Sequence, residues 1–349
     1  MGNEMVVNSR TSYLEWFKYK WSNDPLFSIF IGLVIMIIIQ TLVLGFDYNS
    51  FGSWFQSWSN NWINILRNNA GIGIVALGMT FVIMTGGIDL AVGATLVATG
   101  AFAMALLDVG QRGILGIIGV TGYPAIILTI IFVLIFGYLL GSLIGVSVTK
   151  GMVPPFIATL GAMMVFRSVT QHLMQGYNPR VPVEFLQIAS FKIGNLMIMP
   201  IIYWLIIAAI LYYVSKRTTF GRHIIAVGSN ERAANLSGVN VNKVKLRVYA
   251  LMGLLVSIAA IIQVSRIGSM DYAGAGRGME MDAIAAAVVG GTSMMGGRGF
   301  ILGTVYGMLI IAVLNNLLNL FGVPPLLGDA FKGLIVIAAV LLQRKDKSS

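Results

Sequence analysis

A chain of 349 residues in which 57% are hydrophobic and only 10% charged lies far from the roughly 25% charge of soluble domains and reads as an integral membrane protein. Its net charge of +10 does not argue for nucleic acid, because the basic residues sit mostly in short loops between apolar runs, where the bias of cytoplasmic loops toward Lys and Arg already accounts for them. The absence of cysteine excludes disulfides, thiolate catalysis and cysteine-based metal sites.

The chain opens with a polar, aromatic segment, residues 1–25, unlike a cleaved signal peptide. Measured against the roughly 20 apolar residues that a span requires, the rest yields about ten candidate helices in one transmembrane domain, residues 26–343, with a tail at 344–349. The first runs from Leu26 to Gly45, and Trp54, Trp58 and Trp62 follow it as an interfacial belt. The second covers Ile63 to Met84 and the third Leu90 to Leu107, with TGGIDLAVG breaking between them. The fourth covers Pro124 to Val148, the fifth Phe156 to Met174 and the sixth Leu196 to Val214. A hydrophilic interval, 215–247, separates these from the seventh, Val248 to Arg266. The last three cover Ala283 to Met295, Phe300 to Phe321 and Leu327 to Gln343, the first of them short enough to be broken or re-entrant.

Placing the N-terminus inside puts Arg10, Lys18, Lys20, Lys150, Arg298, Arg344, Lys345, Lys347 and the whole basic interval on the cytoplasmic side, and leaves Arg112, Arg180, Lys192 and Arg277 outside. Both termini are therefore expected in the cytoplasm. An internal repeat accompanies this topology. Pro154-Pro155 before the fifth span matches Pro324-Pro325 before the tenth, and Gly137, Gly141 and Gly145 match Gly299, Gly303 and Gly307. An offset of five spans is odd, so the expected architecture is all-α, with two inverted five-helix repeats.

Several polar motifs interrupt the apolar pattern. Gly86, Gly87 and Asp89 lie in the break after the second span; Asp89 is expected to cap the next helix, either as part of a discontinuous helix lining a pathway or as a simple cap at the membrane edge. Asp271, Arg277, Glu280 and Asp282 surround glycines in the connection after the seventh span, which is expected to face outward as a pore mouth, a docking surface or a solvated loop. Arg167, Gln171, His172, Gln263, Asn315, Asn316 and Asn319 are candidates for a polar lining or for helix-to-helix hydrogen bonds. His172 and His223 fall on opposite sides, so no metal site is expected, and the 19 methionines read as packing. No nucleophile-base pair suggests catalysis, and no GxxxxGK[ST] phosphate loop occurs. The chain is thus expected to bind no cofactor itself.

The basic interval cannot enter a bilayer. Lys216, Arg217, Arg222, Arg232, Lys243, Lys245 and Arg247 face a single acid, Glu231. Within it GSNERAANLSG predicts a short helix with Ser229 or Asn230 as cap, Glu231 in the first turn and Gly238 as stop. Ala233, Ala234 and Leu236 are expected to fill a groove on a partner, with Glu231 and Arg232 pairing to it; the alternative is a loop helix packed on its own membrane domain.

The stretches AVGSNERAANLSGVNVNKVK, MDAIAAAVVGGTSMMGGRG, NNLLNLFGV, TGGIDLAVG and PPFIATLG resemble the permease subunits of bacterial sugar-importing ABC transporters, most closely ribose permeases, over about Asn64 to Leu342. One departure is Ala91, where the family's motif usually carries serine. The resemblance implies that Asn230 to Gly238 form a coupling helix on a separate cytoplasmic ATPase, which holds the ATP and Mg, and that an extracytoplasmic sugar-binding protein delivers the substrate. It further implies that two permease copies enclose the pathway in the bacterial inner membrane. Ribose is the first expectation, with galactose or xylose as other monosaccharides. An ion-coupled secondary transporter of a small polar solute, or an ABC permease for a nucleoside, remains the alternative.

Overall fold

The computed structural model describes residues 19–21, 24–46, 48–110, 112–192 and 196–324, with 327, 328, 330, 331, 333, 334 and 337 beyond them. Most of the expected N-terminal segment, the tail and the greater part of the tenth expected span lie outside the described residues.

Every element among the described residues is a helix. In chain order these are α1 (Pro25–Leu44), α2 (Phe51–Met84), α3 (Val92–Leu107), α4 (Ile114–Ile117), α5 (Gly122–Thr149), α6 (Pro155–Met174), α7 (Val183–Ser190), α8 (Met199–Arg217), α9 (Thr219–Ser229), α10 (Glu231–Leu236), α11 (Val241–Ile267), α12 (Met279–Val289) and α13 (Ile301–Leu320). Six of them, α1, α2, α5, α8, α11 and α13, are long and apolar enough to cross a membrane. The apolar α3 has 16 residues and α12 has 11, while α6 carries Arg167, Gln171 and His172 within its 20 residues.

The helix starts follow local chemistry. Asp24 accepts from the backbone N–H groups of Leu26 (3.1 Å) and Phe27 (3.4 Å) with Pro25 at the first helical position, which fixes the start of α1. Ser50 and Ser53 form a reciprocal cap for α2. The tryptophan belt is therefore not a connector: it forms the first turns of a 34-residue helix, about 51 Å long at 1.5 Å per residue. Trp54, Trp58 and Trp62 recur at four-residue spacing and pack ring to ring, at 6.4 and 6.1 Å between centroids. The indole N–H groups of Trp54 and Trp58 donate to Gly45 O (3.1 Å) and Thr41 Oγ1 (3.0 Å), tying α2 back onto α1.

Burial divides the helices into a centre and a rim. Of the most apolar stretch of α11, 78% is buried, against 11% in α1. The second half of α2, most of α3 and α12, and α11 form the centre, through Ile74, Leu77, Phe81, Leu96, Met252, Val256, Ala283 and Ala286. Around it α1, α5, α6 and α8 expose Ile38, Leu42, Leu139, Leu143, Leu173 and Ile210, the surface expected to meet lipid. The glycine spacing in α5 works as a contact with α11: a Cβ on Gly141 would collide with the carbonyl of Tyr249, and one on Gly253 with that of Gly137. These two helices meet backbone to backbone, which membrane interfaces achieve with small residues. Gly303 and Gly307 of α13 meet Gly290 and Ala286 in the same way.

The basic interval is helical almost throughout. Lys216 and Arg217 end α8, and Lys243, Lys245 and Arg247 lie in the first turns of α11, which begins seven residues before the expected Val248. The eighth expected span is displaced too: α12 runs from Met279 to Val289 rather than from Ala283 to Met295.

Candidate functional site

Two regions gather the polar side chains. At the first, α9 and α10 meet at Asn230, whose extended backbone (φ −162°, ψ 105°) separates the two helices. Its N–H closes α9 on Ala226 O at 3.1 Å, and its Oδ1 accepts from Ala233 N at 2.9 Å. Asn230 is thus the cap; Ser229 belongs to the last turn of α9, where its hydroxyl donates to Ile225 O at 2.8 Å. At the other end Gly238 takes the left-handed conformation, φ +82°, that stops α10, and Asn240 caps α11 through Lys243 N at 2.9 Å. Ser229, Asn230, Glu231, Arg232, Ala233, Leu236 and Gly238 are exposed, Leu236 by 83%. One of the expected contacts turns out otherwise: Ala234 packs into the body of its own chain. Glu231 forms an ion pair with Lys245 of α11 yet remains exposed, so Glu231, Arg232, Ala233 and Leu236 make up the outward edge.

The second region forms where the helix that follows one break meets a second break. After α2, Gly86 (φ +77°) turns the chain, and Asp89, 3% exposed, accepts from Ala91 N at 2.8 Å. This is an Asx turn ahead of α3 rather than the expected helix cap: Ala91 holds the cap position and makes no side-chain bond. The buried hydroxyl of Tyr249 lies against Gly87 without a hydrogen-bond partner among the described residues.

The second break follows α11. Gly268 ends that helix, and the chain then runs back along α3, with Tyr272 Oη 3.9 Å from Met104 Sδ, Met270 against Gly100 and the backbone of Gly276 against that of Gly93. Two side chains of α6 hold the segment by its carbonyls. Arg167 donates to Ala273 O (3.0 Å) and Ala275 O (3.1 Å), and Gln171 to Tyr272 O (3.2 Å). The connection is therefore not a free loop but a stretch held along α3 and α6, from which α12 starts.

Beside it lies a cleft of about 200 Å³ whose polar lining is Arg67, Asn68, Gln263, Arg266, Arg277 and Asp282. Arg266 donates to Asn68 Oδ1 at 2.6 Å, bridging α11 and α2. On its other side a wider cleft, about 510 Å³, is lined by Arg167, Ser168, Gln171, Arg277 and Glu280. Of the residues expected along a pathway, Asp282 lines the first cleft; Gly86, Gly87 and Asp89 form the neighbouring break. Asn316 instead exchanges hydrogen bonds with Asn61 of α2 at 3.2 and 3.4 Å, joining helices, and Asn315 is half-buried outside the cleft. Sequence reasoning missed Arg67, Asn68 and Arg266. The first two belong to a run, NNWINILRNN, whose asparagines at 61, 64 and 68 recur at helical spacing and mark a polar stripe.

A third cluster ties α3 to the stretch after α6. Asp108 accepts from Arg180 N (2.8 Å), Gly110 N (3.1 Å) and Tyr177 Oη (2.9 Å). Burial pushes the Asp108 carboxyl up, but these hydrogen bonds and the Arg180 charge outweigh it and hold the group below the ordinary value of 3.8. Burial and the bond to Asp108 push the Tyr177 phenol up to about 12. Among the described residues no three His, Asp or Glu side chains group as metal ligands.

Comparison with known proteins agrees with this architecture. Residues 61–340 match the family described as branched-chain amino acid transport system / permease component. The chain is 39% identical over 320 residues to the ribose import permease of Haemophilus influenzae, covering 89% of this chain and 91% of the relative. It is 40% identical over 322 residues to that of Bacillus subtilis, covering 91% and 92%. The xylose transport system permease of Escherichia coli K12 is 32% identical over 375 residues, covering 90% and 92%. No solved structure matches the chain. With a helical membrane body, buried polar breaks and a family match over most of its length, the chain belongs to this family of ABC transporter permease components, as a multi-pass protein of the inner membrane.

Proposed function

We propose that the chain is the permease subunit of an ATP-driven, binding-protein-dependent monosaccharide importer, with ribose as first choice, and that it docks on a separate ABC ATPase through α10. The observation that carries the docking is the capped, six-residue α10, exposing Leu236 by 83% while Ala234 anchors it to the body. A large aliphatic side chain held out on a short, rigidly ended helix suits a groove on a partner protein. The ATPase supplies bound ATP and Mg, an external binding protein delivers the sugar, and a second copy of the permease completes the pathway.

The sugar passes the cleft beside the segment after α11. Asn68, Gln263, Arg266 and Asp282 offer donors and acceptors to hydroxyls, which a neutral polyol needs when it leaves water. The relatives' names support a pentose: two are ribose permeases and one a xylose permease. Helix packing supports the inverted repeat. α2 contacts α12 and α13 as α11 contacts α3 and α5, and α12 contacts α13 as α3 contacts α5, so corresponding pairs are five spans apart. The two repeats would then shift between outward-open and inward-open states as ATP favours one of them.

The test is uptake by proteoliposomes. Purified with its co-expressed ATPase and supplied with binding protein, the chain should accumulate labelled ribose only when ATP is present. Uptake driven by an ion gradient without any ATPase would overturn the reading in favour of a secondary transporter.

A further inference from the structure

Three stretches of backbone meet without side chains between them directly beside α10. Gly228, in the last turn of α9, lies so close to the carbonyl of Met84, the last residue of α2, that a Cβ there would collide with it, and the same Cβ would stand 2.5 Å from the amide of Gly297. Gly297 N in turn donates to Met84 O at 2.9 Å. Gly296 closes the triangle: its Cβ would stand 2.8 Å from Gly228 O and 3.3 Å from Gly86 N. Gly296 and Gly297 adopt φ of +81° and +72°, in a turn closed by Ser293 N to Arg298 O at 2.9 Å, and that turn connects α12 to α13.

The members of this contact are not arbitrary. Gly228 precedes the α10 cap by two residues, Met84 precedes the Thr85–Ala91 break, and the 293–298 turn is attached to the helix that carries Asp282. A contact made of side chains can absorb displacement by changing rotamers; one made of close-packed backbone yields less, because one stretch can move against another only by coordinated φ and ψ changes along the chain or by carrying its neighbour with it. Resting on the docking reading above, we propose that Gly228, Gly296 and Gly297 are a positioning joint through which movement of α10 is passed both to the break after α2 and to the α12–α13 turn. Docking and pathway are then joined at one point rather than through the length of a helix.

The experiment compares sugar moved per ATP hydrolysed in proteoliposomes holding the full complex, with labelled ribose as the probe. Gly228→Ala and Gly296→Ala, which wedge the joint open, should lower that ratio about ten-fold, within the usual range of coupling between sites, while ATPase co-purification and ATP hydrolysis persist. Gly161→Ala, on the exposed face of α6 where an added Cβ meets nothing within 4 Å, should leave the ratio unchanged. A purely structural role would lower uptake and hydrolysis together, so an unchanged ratio in both joint variants overturns the proposal. If neither variant folds, hydrogen exchange on the unmodified complex decides. Peptides spanning 84–91, 224–238 and 293–300 should change protection together when a non-hydrolysable ATP analogue binds, and a change confined to 224–238 overturns the joint. A wild-type chain that binds no ATPase would instead overturn the docking reading.

Discussion

Releasing the segment after α11 from α6 gives the most direct measure of what holds the two clefts beside it together. Arg167→Met removes two charge-assisted hydrogen bonds to Ala273 O and Ala275 O, 3.0 and 3.1 Å long. Bonds from a charged donor contribute about 1.5 to 3 kcal/mol when buried; Arg167 is only half-buried, and solvent screening brings each nearer about 1 kcal/mol. A loss of about 2 kcal/mol in the local opening of the segment corresponds to about thirty-fold more open molecules. The absence of native cysteine makes this measurable: Met270→Cys places a thiol at a position only 8% exposed, packed against Gly100. The rate of maleimide labelling at residue 270 should rise about thirty-fold in Arg167→Met, and about five-fold in Arg167→Lys, which keeps the charge but only one of the two donors of the planar fork. Labelling at the same rate in all three backgrounds would refute the clamp.

Three further outcomes follow from the same geometry. Leu236→Asp should abolish ATPase co-purification while membrane insertion and thermal stability stay within about 0.5 kcal/mol of wild type, since the side chain is 83% exposed; unchanged co-purification would contradict the docking. Asp108 is held below its ordinary value, so it contributes stability above about pH 4 and loses it as pH falls through the depressed value in the folded protein; the melting difference between wild type and Asp108→Asn should be constant from pH 7 to about pH 4 and vanish below. Gly253→Leu should cost about 1 to 3 kcal/mol or prevent folding, by forcing α5 from α11, read as the yield of monodisperse protein in detergent.

What could be read from the sequence was whatever depends on neighbours in the chain. The cap and stop of α10 follow from Asn230 and Gly238, and the glycine spacing of α5 marked a close helix contact before its partner was known. What escaped depends on residues far apart. The ion pair of Glu231 with Lys245, 14 residues on, forms only when α10 folds against α11. The glycines and charges of the stretch after α11 are ordinary in loops, while the Arg167 contact that ties it to α6 joins residues 106 apart. The start of α12, by contrast, is set locally: Glu280 and Asp282 suit the first turn of a helix, where they meet unpaired N–H groups, as well as they suit a loop. The tryptophan rings mark an interfacial belt, and their four-residue spacing also marks one side of a helix.

The two breaks explain why the polar chemistry sits where it does. Irregular backbone within a membrane is tolerated only where protein or a water-filled cavity satisfies its N–H and C=O groups. The break after α2 satisfies part of this need with Asp89, and the break after α11 with Arg167 and Gln171. The break after α11 lies with Gly276 against Gly93 in the first turn of α3, so that each backbone is covered by the other. That arrangement leaves side chains next to the breaks, among them Asn68, Gln263 and Arg266, to line a cleft rather than fill gaps. A straight α3 or α12 could cross the bilayer equally well, but it would present no cleft of polar groups at this depth. The short helices are therefore what the proposed pathway depends on, and of the two breaks the one after α2 is the one that the glycine contacts beside α10 reach directly.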